Sequence, residues 1–276
     1  MNSGPQRIAC LQPSATATIA RLGLLHRVVA CTRWCRDLTP EISRSGATVV
    51  SDSWSAQASE ILACHPDLVI ASVPYQLDAL AEILKASVRL LALAPRTLAD
   101  VYGDIVLIAN TLDAKPRGEA LVAEMQRQIE LVKAKAAHIR PRPRVFCEEW
   151  GKPVISSQQW VAELIEASGA EFVGEAGGRT NAEIVAAEDP DIIIAAWCGA
   201  GDRVPLEKLV SLRGWQDLQA VRNGRVYCVN DEYLNTPAPT LISGLRALAS
   251  AIHPEIFGAS APGLRRITLN EQPAIR

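Results

Sequence analysis

The chain has 276 residues, 49% of them hydrophobic, and a formal net charge of −2 with acids and bases interspersed. That length supports one large or two medium domains, each with its own core. Without a basic stripe it offers nothing to nucleic acid, and no apolar run approaches the roughly 18 to 20 residues that a membrane span needs.

The first seven residues lead into one short apolar run, without the basic start and small-residue cleavage site of a secretory signal. The seven cysteines, Cys10, Cys31, Cys35, Cys64, Cys147, Cys198 and Cys228, are odd in number and mostly sit within apolar runs. They read as buried free thiols in a reducing compartment. The expectation is a cytoplasmic chain, or a periplasmic or other extracytoplasmic one if a signal has been removed. Cys31 and Cys35 are close in sequence, but no Cys-x-x-Cys and no second pair at zinc-site spacing exists, so no metal site is expected.

In chain order, residues 8–11 predict a strand, 17–22 a helix closed by Gly23, and 28–31 a second strand. A loop with Arg33, Trp34, Cys35 and Arg36 is expected next, then a strand at 48–50 followed by Trp54 in a loop. A helix at about 56–64, a strand at 68–71, a helix opened by Pro74 and Tyr75, and a strand at 88–93 continue the alternation. Thr97 and Asp100 form a capping box for another helix. Pro116 and Gly118 interrupt it, and a long helix rich in Glu, Gln, Lys and Arg follows, stopping before Pro141.

Residues 145–147 then predict a buried strand. A loop carrying Glu148, Glu149 and Trp150 is expected after it, and a helix capped by Ser156 or Ser157 that contains Trp160 and ends at Gly169. Helices near 182–187 and 205–212, strands at 192–195 and 226–229, and a last helix at 240–252 complete the pattern. The tail from Pro254 is weakly patterned. Short apolar strands alternating with helices predict an α/β fold: two Rossmann-like lobes with mainly parallel sheets, joined by a single long helix. The expected division is an N-terminal lobe 1–96, connecting helices 97–140, a C-terminal lobe 141–253 and a tail 254–276. Residues 60–71 and 183–195 echo each other, each running from a helix through Pro-Asp into a strand, as two similar lobes would.

Trp34, Trp54, Tyr75, Trp150, Trp197 and Tyr233 all fall just after predicted strands. In open α/β sheets that is the ligand end, and flat apolar walls there suit a large planar ligand between the lobes. Trp160, near the start of its helix, is either a further wall residue or core. Trp215 reads as structural. Nucleophile-elbow, Walker and dinucleotide motifs are missing, and no His lies beside a loop Ser or Cys, so no catalytic residue is assigned. Glu148 and Glu149 are adjacent, and neighbours on one backbone point apart, which argues against an acid/base pair.

Leu11-Gln12-Pro13-Ser14-Ala15-Thr16, His65-Pro66-Asp67, Glu149-Trp150 with Trp160-Val161-Ala162-Glu163-Leu164-Ile165, and Trp197-Cys198-Gly199 carry a resemblance. The chain resembles the helical-backbone (class III) substrate-binding proteins of ABC importers, and within them the cobalamin-binding subgroup. The resemblance implies non-catalytic binding of a corrinoid between two lobes, with no cofactor of the protein's own. It also implies docking of a monomer onto an ABC permease through one glutamate per lobe. By position these are Glu183, seven residues before Pro190, and Glu60, one residue off the matching Ser59. The expected ligand contacts, from the placement of the aromatics, are Trp34, Trp54, Tyr75, Trp150, Trp160, Trp197 and Tyr233. Haem or an iron–siderophore complex is the alternative ligand. An enzyme on the same fold, using Cys35, Cys198 or Glu149, is the alternative of another class.

Overall fold

A computed structural model describes residues 4–52, 55, 57–72 and 77–268. The chain divides into two compact units within the long helix: one holds the chain up to Gln126 together with Pro237–Pro239, the other residues 127–236 and the chain from Thr240.

The first unit alternates strands and helices: β1 (Ile8–Cys10), α1 (Pro13–Arg21), β2 (Val28–Thr32), α2 (Arg33–Leu38), β3 (Thr48–Val50), α3 (Ala58–Ala63), β4 (Leu68–Ser72), α4 (Leu77–Lys85), β5 (Arg89–Leu93) and α5 (Leu98–Thr111). Its five strands are parallel in the order β3-β2-β1-β4-β5. The period of two sorts their side chains. Ile8, Cys10, Leu68 and Ile70 join Ile19 and Ile108 in one buried cluster, while Ala9, Val69 and Ala30 join Ile61 and Ile83 in another. Both faces of the sheet are therefore covered, as crossover helices require. The expected loop at Arg33 is instead helix α2, because the Thr32 hydroxyl accepts from the Cys35 amide and caps it.

The long helix α6 (Lys115–Ala136) includes Pro116 and Gly118 rather than starting after them. Proline is tolerated in a first turn, where its missing N–H would be unsatisfied anyway. Gly118 lets α6 approach α5: a Cβ there would lie 2.3 Å from the Ala109 Cβ.

The second unit contains β6 (Arg144–Gly151), β7 (Val154–Ser156), α7 (Gln159–Ala167), β8 (Glu171–Phe172), β9 (Arg179–Thr180), α8 (Ala182–Glu188), β10 (Ile192–Ala195), α9 (Leu206–Arg213), α10 (Gln219–Arg222), β11 (Val226–Val229), α11 (Asp231–Leu234), α12 (Leu241–Ile252), α13 (Pro254–Phe257) and β12 (Leu264–Arg266). Strands β11, β10, β6 and β8 are parallel neighbours. β7 pairs antiparallel with β6, and β12 with β11. Two sequence expectations change here. Glu148, Glu149 and Trp150 lie on β6 and its hairpin rather than in a loop. The tail adds an edge strand, β12, whose Arg265 and Arg266 bond the carbonyls of Asp202 and Gly224. Ser156 and Ser157 do not cap α7: both are buried, Ser157 Oγ donates to Cys147 Sγ at 3.2 Å, and Gln158 holds the cap position.

The two units share one local device. Asp67, before β4, accepts from the amides of Gln6 (2.8 Å) and Arg7 (3.0 Å) at the start of β1. Asp191, before β10, accepts from Arg144 N (2.7 Å) at the start of β6. Arg7 then donates to the carbonyls of Cys64 and His65 beyond α3, and Arg144 to the carbonyl of Glu188 at the end of α8. Each helix is followed by a left-handed non-glycine residue, His65 (φ 49°) and Asp189 (φ 39°). The echo in the sequence is thus an echo in hydrogen bonding.

Glycine to alanine inside a helix ordinarily stabilises by about 0.5–1 kcal/mol. At Gly118 the new methyl overpacks the α5 contact, so Gly118→Ala is expected to destabilise by about 1–3 kcal/mol. Urea denaturation checks the sign.

Candidate functional site

In the second sheet the chain passes from β6 to β8 on one side and to β10 and β11 on the other. The carboxyl ends of β6 and β10 therefore bound a topological switch point, the position where open α/β sheets hold ligands. Pairing continues past the end of β10: Ala196 N donates to Glu148 O (2.8 Å) and Cys198 N to Glu149 O (3.0 Å). Cys198 is thereby held beside Glu149.

Helix α11 closes the other side. Asp231 accepts from the amides of Gly199 (2.8 Å) and Gly201 (2.7 Å). Those two glycines have φ of 79° and 61°, the left-handed region where a Cβ is strained. Asn235 Nδ2 donates to Ala196 O (2.6 Å) and Cys198 Sγ (3.2 Å). From the start of α7, Gln158 Nε2 donates to Glu149 Oε1 at 2.6 Å. The groups hydrogen-bonded at the switch point include carboxylates, carboxamides and a thiol, and the Arg203 guanidinium lies near Gly201.

Burial pushes the Glu149 carboxyl up from the ordinary carboxylate range, and the bond from Gln158 pulls it partly back. Desolvation, then the carboxylates of Glu149 and Asp231, push the Cys198 thiol up to about 12. Part of the residue still reaches solvent. Cys198 is thus a thiol at neutral pH, and none of the groups that shift it is a cation or base that would make it a nucleophile.

The aromatics expected at the site divide. Trp150 is 43% exposed, and its indole N–H donates to Lys152 O at 2.9 Å. Tyr233 is half-buried, its ring packed against Gly263. Trp34, in the first turn of α2 in the other unit, is 42% exposed, with the Arg33 guanidinium 4.3 Å over its ring. Trp54 and Tyr75 lie outside the described residues. Trp197 is half-buried, and its N–H is engaged by Glu148 at 2.6 Å. Trp160 is buried, donating to Leu234 O at 2.8 Å, so the structure places it in the core rather than at a ligand surface. Its helical spacing with Val161, Leu164 and Ile165 carried that signal. Trp215 is fully buried, edge-on to Phe146 at 6.3 Å. Sequence reasoning missed Asp231, Asn235 and Gln158; only their places just past β11 and before α7 hinted at them.

Of the glutamates expected to dock a partner, Glu183 is exposed in the first turn of α8. Glu60 is exposed in α3, where its carboxylate accepts from Ser51 N at 3.0 Å.

Residues 8–233 match the periplasmic binding protein family, and the chain belongs to it. It is a solute-binding protein, not an enzyme. It is 24% identical over 269 residues to an uncharacterized ABC transporter substrate-binding lipoprotein, YvrC, of Bacillus subtilis, covering 92% of this chain and 82% of that one. A cobalamin-binding protein of Halobacterium salinarum is 23% identical over 264 residues, covering 92% of this chain and 71% of that one. In fold it is similar to a periplasmic heme binding protein from Pseudomonas aeruginosa, with a TM-score of 0.84 at 21% identity over 97% of this chain and 100% of the other.

This membership overturns the cytoplasmic expectation: the family, and a relative named as a lipoprotein, point outside the cytoplasm. The cysteine argument misled because burial, rather than compartment, accounts for the free thiols. Cys10, Cys31, Cys35, Cys147 and Cys228 are all buried and unpaired. Burial pushes Cys31 up to about 11 and Cys147 to about 12, which suppresses the thiolate that disulfide exchange needs.

Glu149 has its pKa raised on folding, so the folded state holds the proton more tightly than the unfolded chain. Its contribution to stability is therefore lost as pH rises above the ordinary carboxylate value of 4.5. Glu149→Gln keeps the acceptor for Gln158 and is expected to be more stable than wild type at pH 7 and equal to it below about pH 4. Thermal melts across that range test this.

Proposed function

We propose that this protein is the corrinoid-binding component of an ABC importer, holding its ligand at the carboxyl ends of β6 and β10. The observation that carries the reading is the chemistry of the switch point. The carboxylates and carboxamides of Glu149, Gln158, Asp231 and Asn235 gather at the ends of β6 and β10, and Trp150, the residue after Glu149 on β6, has an exposed ring. A corrinoid is a large macrocycle fringed with neutral amides, whose N–H groups suit such acceptors and whose apolar face suits an indole. A porphyrin with two propionates, or an anionic siderophore, would meet like charge from Glu149 and Asp231. The cobalamin-binding relative supports the same ligand class.

Trp150 and Tyr233 are the proposed wall contacts in this unit, and Trp34 is the exposed candidate in the other. Delivery requires a permease, and the exposed Glu183 and Glu60 are the proposed docking groups. Reversible charge pairing there would steer association without burying much surface.

Titration calorimetry with cyanocobalamin is expected to give saturable binding at about micromolar or tighter, and weaker binding of hemin. Trp150→Ala is expected to weaken cyanocobalamin binding about tenfold or more, or 1.4 kcal/mol per decade. Tighter binding of hemin than of cyanocobalamin would replace the corrinoid with a porphyrin.

A further inference from the structure

In the second unit a set of polar and aromatic side chains converges on Glu148. Glu148 and Glu149 are consecutive on β6 but have different partners: Arg213 and Trp197 for the first, Gln158 for the second. Glu148 is fully buried. Its Oε2 accepts from Arg213 Nη1 at 2.6 Å, and its Oε1 from the indole N–H of Trp197 at 2.6 Å. Burial pushes its carboxyl up, while Arg213 and Trp197 draw it back towards the charged form. The other Arg213 nitrogen, Nη2, donates to the carbonyl of Gly151 at 3.1 Å, and the guanidinium lies 4.7 Å over the Trp215 ring.

Trp197 closes on the same residue from another direction. A Cβ on Gly151 would stand 2.5 Å from Cζ2 of the Trp197 ring. Both partners of Glu148 therefore converge on Gly151, the residue after Trp150. Trp150 is tied to that turn by its own N–H bond to Lys152 O. An apolar pair in place of Glu148 and Arg213 would hold α9 on β6 at least as stably. Apolar contact is non-directional, however, and would leave the rotation of the turn free.

We propose that Glu148, Arg213 and Trp197 are positioning residues that fix the Gly151 turn and thereby aim the Trp150 ring at the ligand. The inference rests on the corrinoid reading for its binding test, and on the turn itself for a second test that needs no ligand.

The binding test is a double-mutant cycle. Glu148→Gln with Arg213→Met removes both buried charges together, so neither is stranded. This variant is expected to fold with a melting temperature within a few degrees of wild type and to bind cyanocobalamin at least tenfold more weakly. Adding Trp150→Ala is expected to cost little more, because the charged pair and Trp150 act along one path. Wild-type affinity in the folded variant, or full additivity with Trp150→Ala, overturns the proposal.

The second test reads Trp150 alone. Ligand-free wild type is expected to give one sharp indole N–H resonance for Trp150 in a 15N-indole spectrum, and the double variant a broadened or multiple one. Gly151→Ala, which pushes on the Trp197 ring from the turn side, is expected to do the same with every charge in place. An unchanged Trp150 resonance in both variants overturns the proposal even if one of them binds weakly. A wild-type protein that binds no cyanocobalamin defeats the corrinoid reading and leaves this second test standing.

Discussion

A carboxylate taken wholly out of water must have its charge and lone pairs answered, and Glu148 is in that position in the middle of the second sheet. Arg213 and Trp197 answer it, each at 2.6 Å. That requirement fixes several elements at once. The last residue of α9 must reach under β6, the segment after β10 must turn its tryptophan inward, and residue 151 must lack a side chain. Glu149, one residue on, then lies beside Cys198 and Gln158. One buried charge thus sets the frame of a site it does not enter.

The two units solve the simpler problem of starting a parallel sheet in the same way. An aspartate before one strand binds the first amides of its neighbour, and an arginine at the start of that neighbour covers the end of the preceding helix. They part where the second unit adds antiparallel strands, β7 and β12, beside its parallel core. The hairpin made with β7 carries Trp150, so the addition that breaks the likeness is also the part that leaves a tryptophan ring exposed.

Much of this was legible because it is local. Alternating apolar runs located the strands, Thr97 and Asp100 formed the expected capping box, and Gly23 and Gly169 sit at φ of 72° and 83° where helices close. What was not legible depends on distant partners. Glu148-Glu149-Trp150 reads as polar loop, because nothing local shows that Arg213, 65 residues away, neutralises the first of them. β12 forms because β11 offers it an edge, which a weak apolar pattern cannot announce. Tryptophans are ambiguous for the same reason: Trp150 and Trp160 both look fit for a binding wall, and only the packing of α7 against the sheet separates them. Compartment was misjudged because a buried thiol looks alike in a reducing and an oxidising environment.

The proposed ligand position in this solute-binding protein is where β6 and β10 end in the second unit. Hydrogen–deuterium exchange with and without saturating cyanocobalamin tests it most directly, since it reads the position of the ligand along the whole chain. Added protection in the β6–β7 hairpin, in the Trp197–Gly201 turn and in α11 is the expected result. Protection confined to other segments, with these three unchanged, would contradict the claim.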